Sequence, residues 1–170
     1  MIKLTIGIVL AAILTGFLSG CSTTDIRLSG GVGEHQNIFD TSQMKAEVRT
    51  GDRLYSYSRV EWNDNPSDDV NGLALTGIGW SYDVFHLESA VNDEYYLINL
   101  RYEQERSWGY TYGTLKHMDK FEGGNSGTTA TLGGGYEAFN GVYIGPFYEV
   151  GNQEQKFVGD TYGLELRIVN

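Results

Sequence analysis

A histidine, a carboxylate and a hydroxyl close together are the minimum inventory for acyl transfer or hydrolysis, and this chain holds one such group: His86, Glu88 and Ser89. On an extended strand His86 and Glu88 share a face while Ser89 points to the other. A serine nucleophile needs its base on the same side, and no GxSxG turn that would present one occurs anywhere. His35 and His117 stand far from His86 and from each other, with neither HExxH nor the paired spacing of metal ligands. The run Asp64-Asn65-Pro66-Ser67-Asp68-Asp69 offers the oxygens a hard cation prefers. It lacks the ligand order and trailing glutamate of an EF-hand and reads as a solvated turn. Gly133-Gly134-Gly135 is followed by no Lys-Ser/Thr pair and is no phosphate cradle. These patterns lead us to expect no catalytic residues, no metal site and no cofactor.

Cys21 is the residue whose neighbours do specify a chemistry. It is the single cysteine, so it forms no internal disulfide. Before it come one positive charge, Lys3, and an uncharged run of 17 residues from Leu4 to Gly20. As a helix that run rises about 26 Å, short of the ~20 residues that cross a bilayer comfortably. It closes on Leu18-Ser19-Gly20-Cys21, with the small residues a signal peptidase needs before a cleavage point. Charge, apolar run, small pair and cysteine in this order resemble the bacterial lipoprotein signal, whose lipobox is a leucine, two small residues and cysteine. The resemblance covers about the first 22 residues. It implies diacylglyceryl transfer to the Cys21 thiol, cleavage between Gly20 and Cys21, and acylation of the freed amine. Two or more acyl chains anchor a protein stably. In such lipoproteins an aspartate after the cysteine tends to retain the protein in the inner membrane. Here that position is Ser22, which implies an outer-membrane location in the bacterial cell envelope. The expected organisation is a signal peptide over residues 1–20, a short lipidated tether over 21–25, and one domain over 26–170.

The elements that carry these residues must be read from a chain of 170 residues with 23 glycines, 12 tyrosines, 2 prolines, and 12 Lys+Arg against 22 Asp+Glu, a net charge of -10. Cleavage at Gly20 would remove Lys3 and leave 11 basic against 22 acidic side chains, about -11. Such an acidic surface excludes a sequence-independent nucleic-acid binder and a polybasic membrane-surface module. The aromatic and aliphatic content excludes a disordered chain.

Short stretches alternate with period two, as strands with one buried face do. Ile26, Leu28 and Val32 share one parity, and Met44, Ala46 and Val48 interleave with Lys45, Glu47 and Arg49. Further strands are expected over 54–62, 73–82, 84–91 and 95–103, from Trp108 onward, and over 128–139, 142–150 and 162–169. Tyr96, Ile98, Leu100 and Tyr102 lie on one face. Asn92-Asp93 and Asn140-Gly141 sit between alternating runs; for the latter a type I′ turn is expected, with positive φ at both residues. The sum is an all-β fold, an antiparallel up-and-down β-barrel of about eight to ten strands, with an open sandwich as the alternative. Glycines inside strand patterns, Gly77, Gly79 and Gly133 to Gly135, favour the barrel, where sharp bends or side chains from elsewhere occupy the gaps.

The aromatic-rich hairpin pattern over 128–169, with Gly135-Tyr136-Glu137 and Tyr162-Gly163-Leu164-Glu165-Leu166-Arg167, resembles the small outer-membrane barrels of the OmpA-like and OmpX-like class of Gram-negative bacteria. Barrels of that class commonly end in an aromatic residue, whereas this chain ends Ile168-Val169-Asn170. Alternation itself leaves two arrangements open: polar positions lining a wet lumen inside a membrane, or polar positions facing water around an apolar interior, the second being slightly favoured. The function expected is a non-catalytic structural or interaction role in the envelope, with the membrane as partner through the lipid anchor and an envelope protein or lipid ligand as a further partner. The alternatives are a lipocalin-like module for a small apolar or amphipathic ligand and, behind it, a lipid-modifying hydrolase using His86 and Glu88.

Overall fold

The computed structural model describes residues 23–35, 38–64, 71–121, 126–151 and 160–170. Gly20 and Cys21 lie outside these residues, as does most of the acidic loop from Asp64 to Asp69. Ten strands follow one another: β1 Thr24–His35, β2 Ile38–Gly51, β3 Leu54–Asp64, β4 Asn71–Tyr82, β5 Phe85–Val91, β6 Tyr95–Arg106, β7 Gly109–Lys120, β8 Gly127–Phe139, β9 Val142–Gly151 and β10 Asp160–Val169. Each pairs antiparallel with its neighbours in sequence, and β1 pairs with β10 to close a barrel. Closure leaves no open sheet edge around the wall. The sandwich alternative is thereby set aside.

The two ends of the barrel differ. At one end, strands are joined by the short turns Asp52-Arg53, Asp83-Val84, Ser107-Trp108 and Asn140-Gly141. Both ends of the described chain meet there: the Thr24 and Asn170 amides each donate to the other's carbonyl at 3.0 Å. This is the turn end. The opposite, loop end carries the connections between β3 and β4, β7 and β8, and β9 and β10, each longer than any turn.

Asn140-Gly141 does join β8 to β9, but not as a type I′ turn. Only Gly141 has positive φ (73°), and the β8 register shifts between Glu137 and Phe139. The extra residue in β8 supplies the local twist that a second left-handed residue would otherwise provide.

Glycine and tyrosine set how the wall carries its interior. Tyr55 and Tyr57 on β3 are paired across the sheet with Gly79 and Gly77 on β4. Tyr112 and Tyr110 on β7 are paired with Gly133 and Gly135 on β8. A Cβ at Gly79 would lie 2.2 Å from the Tyr55 ring, and one at Gly133 would lie 2.6 Å from the Tyr112 ring. The glycines leave floor space on which the rings lie against the inner wall, an arrangement known to rescue glycine within sheets.

The interior is polar and the exterior is not. Glu88 and Tyr57 are 0% exposed, whereas Leu54, Leu132 and Ile78 are 68%, 67% and 63% exposed. Outward positions on β4 to β10 form an apolar belt that includes Ile78, Trp80, Leu87, Ile98, Leu100, Leu115, Leu132, Ile144 and Leu164. Ile26, Ala46, Val48 and Val60 take the same outward parity on β1 to β3 and are buried. The arrangement with an apolar interior, slightly favoured on sequence grounds, is therefore the wrong one. Ten strands enclose more width than the eight whose lumen ordinary side chains just fill, and here long Arg, Glu, Lys and Tyr side chains reach across it.

Candidate functional site

The lumen is the one place where the fold gathers chemically capable side chains from nearly every strand. Seven buried basic residues face it: Arg27, Lys45, Arg49, Arg59, Arg101, Lys116 and Arg167. Seven acidic ones answer them: Asp25, Glu47, Glu61, Glu88, Glu103, Glu149 and Glu165. The described lumen is therefore charge-balanced, and the remaining five basic and fifteen acidic residues of the sequence sum to its net charge of -10.

Towards the loop end, Lys45 Nζ donates to Glu149 Oε1 at 2.5 Å and Lys116 Nζ donates to Glu61 Oε1 at 3.0 Å. Arg59 bridges Glu61 to Glu47. Arg101 also reaches Glu47, its NH2 lying 2.7 Å from Oε2. Towards the turn end, Arg27 and Arg167 hold the two oxygens of Glu103 at 2.5 and 2.7 Å, and Arg167 Nε donates to Asp25 Oδ1 at 3.2 Å. Arg49 Nε lies 2.7 Å from Glu88 Oε1. Removing two charges from water costs several kcal/mol per ion, so such pairs persist only where partners satisfy both sides. Tyrosines supply part of that satisfaction. The hydroxyls of Tyr110 and Tyr112 donate to the two oxygens of Glu165 at 2.6 and 2.8 Å, and Tyr57 donates to Glu47 at 3.1 Å.

His86 and Glu88 do come together on the inner wall, joined through Tyr55. Its hydroxyl lies 3.4 Å from His86 Nδ1 and donates to Glu88 Oε1 at 3.0 Å. Asn99 Nδ2 donates to the other Glu88 oxygen at 2.6 Å. Ser89 faces outward and is exposed, so it shares no space with His86. Glu88 is thus consumed by Tyr55, Asn99 and Arg49 in a structural junction. His117 sits on the outer wall, its Nδ1 3.0 Å from Thr128 Oγ1, and His35 closes β1. Among the described residues no group of three or more His, Cys, Asp or Glu is placed to hold a metal ion.

A lipocalin-like interior would need an apolar cavity. The space at the heart of the described lumen is about 30 Å³ and is lined by Arg27, Glu47, Arg59, Arg101, Glu149 and Glu165, among others. That is room for water, which needs ~10–15 Å³, and not for a lipid tail. Beside the charge lattice sits a smaller apolar cluster of Tyr55, Tyr57, Leu73, Leu75, Ala90, Leu97 and Met118.

The lattice is not legible along the chain because many of its partners are remote: Arg27 and Glu103 are 76 residues apart, Lys45 and Glu149 104. One local signal was present. Tyr-x-Tyr at 55/57 and 110/112 is answered by Gly-x-Gly at 77/79 and 133/135, and that repeated complement marks both the register and the inward face.

No family model matches the chain, and no curated protein matches it. Among solved structures it is similar in shape to a de novo designed transmembrane β-barrel, with 10% identity, a TM-score of 0.47, and 87% of this chain and 95% of that one covered. The translocator domain of the autotransporter NalP from Neisseria meningitidis aligns with 12% identity and a TM-score of 0.39, over 98% and 95% of the two chains. A loop L8 deletion mutant of OmpT, an outer membrane protein of Vibrio cholerae, aligns with 9% identity and a TM-score of 0.33, over 85% of this chain and 59% of that one.

Proposed function

We propose that this protein is a membrane-spanning β-barrel of a bacterial outer membrane, closed to bulk flow, with a non-catalytic structural or interaction role and an additional lipid anchor at Cys21. The observation that carries the reading is the inverted polarity of the wall: charge-paired residues inside, an apolar belt outside. In water that belt would be an exposed hydrophobic surface far larger than soluble monomers tolerate. In a bilayer it is the surface the hydrocarbon requires, and closure satisfies every wall strand's backbone. Strands of 10 to 14 residues, β5 apart, suit the ~9–11 that a tilted transmembrane strand needs. Short turns at one end and longer connections at the other match the periplasmic and outer faces of such barrels.

The ends also differ in charge. Connections and strand termini at the loop end hold eleven carboxylates against Lys120 and Lys156, while the turn end holds Asp52, Asp83, Glu105 and Glu137 against Arg53 and Arg106. The loop end is therefore the face for a basic partner, and repulsion would keep polyanions from it. Thr23, two residues after Cys21, hydrogen-bonds Asp52 at the turn end (2.9 Å), so acyl groups on Cys21 would enter the leaflet on that side.

Fractionation of a Cys21→Ala variant tests the spanning reading. It should remain with membranes through an alkaline carbonate wash, whereas release into the supernatant would refute it. Intact mass tests the anchor: the wild-type protein should exceed the mass of unmodified residues 21–170 by a diacylglyceryl and an acyl group, and a mass equal to those unmodified residues would remove the anchor. In planar bilayers the barrel should show no steady conductance at neutral pH, and a stable open level would contradict a sealed lumen.

A further inference from the structure

Between β7 and β9 the belt carries a groove. Gly134 is the outward position on β8, flanked by Thr111 on β7 and Pro146 on β9, and none of the three carries a large side chain. The result is a groove of about 430 Å³ walled by Leu132, Tyr136, Tyr148 and Trp108, within the ~300–1,000 Å³ of small-molecule sites. A Cβ on Gly134 would fall 2.6 Å from the Tyr110 carbonyl oxygen, so the floor cannot be raised without moving β7. At its turn end Trp108 packs on Tyr136 with ring centroids 5.1 Å apart, an aromatic pair of the kind that settles at a membrane–water boundary. Alongside, the outward series on β6 passes from Ile98 and Leu100 through Tyr102 to Gln104 and Arg106, a change from apolar to cationic within one strand. Gln104 is the cross-strand partner of Thr111 and Arg106 that of Gly109, which brings the cation to the mouth of the groove. Arg106 is exposed, donates to Gln104 Oε1 at 2.6 Å, and pairs with no carboxylate among the described residues.

We propose that this groove binds one phospholipid of the turn-side leaflet, with an acyl chain along Gly134 and the phosphodiester against the Arg106 guanidinium. The inference rests on the membrane-spanning reading. An apolar furrow continuous with the belt is filled by hydrocarbon once the belt is in a bilayer. The aromatic pair and the arginine give that chain a fixed headgroup, since a guanidinium can hold two phosphate oxygens at once.

The test is photolabelling of the full-length protein in vesicles of phosphatidylethanolamine and phosphatidylglycerol that contain a phospholipid with a diazirine on one acyl chain. Labelled residues should concentrate on Leu132 to Tyr136, Pro146 and Tyr148, with about fivefold or more label over Ile78 and Leu87, an enrichment of roughly 1 kcal/mol. Thr111→Trp, which fills the groove from an exposed outward position, should bring that strip down to the belt average. Arg106→Gln leaves the groove open and should lower the strip's label severalfold. Even labelling around the belt would overturn the site while leaving the spanning barrel intact. No label anywhere on the belt would defeat the spanning reading and the site with it. Full labelling in Arg106→Gln would overturn the phosphate contact.

Discussion

The two tyrosine walls of the barrel begin from the same local pattern and finish in different environments. On β3 and β7, Tyr-x-Tyr faces Gly-x-Gly on the next strand. The β7 pair, Tyr110 and Tyr112, stacks at 6.0 Å, and both hydroxyls end on Glu165. Guanidinium groups cover these rings, with Arg167 4.7 Å from Tyr110, Arg101 5.1 Å from Tyr112, and Arg27 5.3 and 5.2 Å from the two. On β3 the hydroxyls part, Tyr55 to Glu88 and Tyr57 to Glu47, while the rings lean on Leu73, Leu75 and Leu97. The difference teaches that the glycine partner creates the space, and what lies across the lumen decides its use. One wall is a cation-bearing platform; the other is a seam between the charge lattice and the apolar cluster.

The largest effect should come from breaking the platform's shared acceptor. Glu165→Leu leaves two tyrosine hydroxyls and part of the Arg27 guanidinium without a partner, and should destabilise the barrel by about 3–5 kcal/mol, the scale for stripping one member from a buried ionic group. Urea unfolding in vesicles measures it, and a loss below ~1 kcal/mol would mean the platform is held by ring stacking alone.

Next come the floors. Gly79→Ala and Gly133→Ala each drive a methyl into a ring and should cost about 1–3 kcal/mol as overpacking does, with Gly79 the worse because its contact is closer. Combining Gly133→Ala with Tyr112→Leu should recover part of the loss. If the double variant is as unstable as the sum of the singles, the tyrosine does not occupy the glycine's space.

The smallest effect, the difference between two hydroxyl deletions, separates the walls directly. Tyr112→Phe loses a hydrogen bond to a carboxylate, worth about 1.5–3 kcal/mol. Tyr57→Phe should cost about half as much, because Arg59 and Arg101 continue to satisfy Glu47. Equal losses in denaturation curves would erase the distinction between platform and seam.

Much of the wall is legible in the sequence. Interleaved Met44, Ala46 and Val48 with Lys45, Glu47 and Arg49 fall on β2 with the expected parity, and Tyr96 to Tyr102 fall on the outer face of β6. The placement of His86 and Glu88 on one side, with Ser89 on the other, follows from the same period of two. The conformation at Asn140 was not legible, since a bulge in β8 changes the turn a given dipeptide adopts. Nor was the groove at Gly134: it arises from small residues on three neighbouring strands, and adjacency across β7, β8 and β9 exists only once register is set.

Residue order alone determined that the domain is built of antiparallel strands that follow one another in a meander. It could not determine which face of those strands is the interior, because alternation is unchanged when the two faces are exchanged. The tertiary structure decided that. Asp25 with Arg27 and Arg59 with Glu61 pair within a strand, but Arg27 with Glu103, Lys45 with Glu149 and Arg49 with Glu88 come from strands that are not neighbours in the wall and meet across the closed lumen. Coulomb attraction acts over a few ångströms in space, and which strands face one another across the lumen is set only by closure. Closure in that sense turns the apolar parity outward and leaves the charged parity lining the lumen.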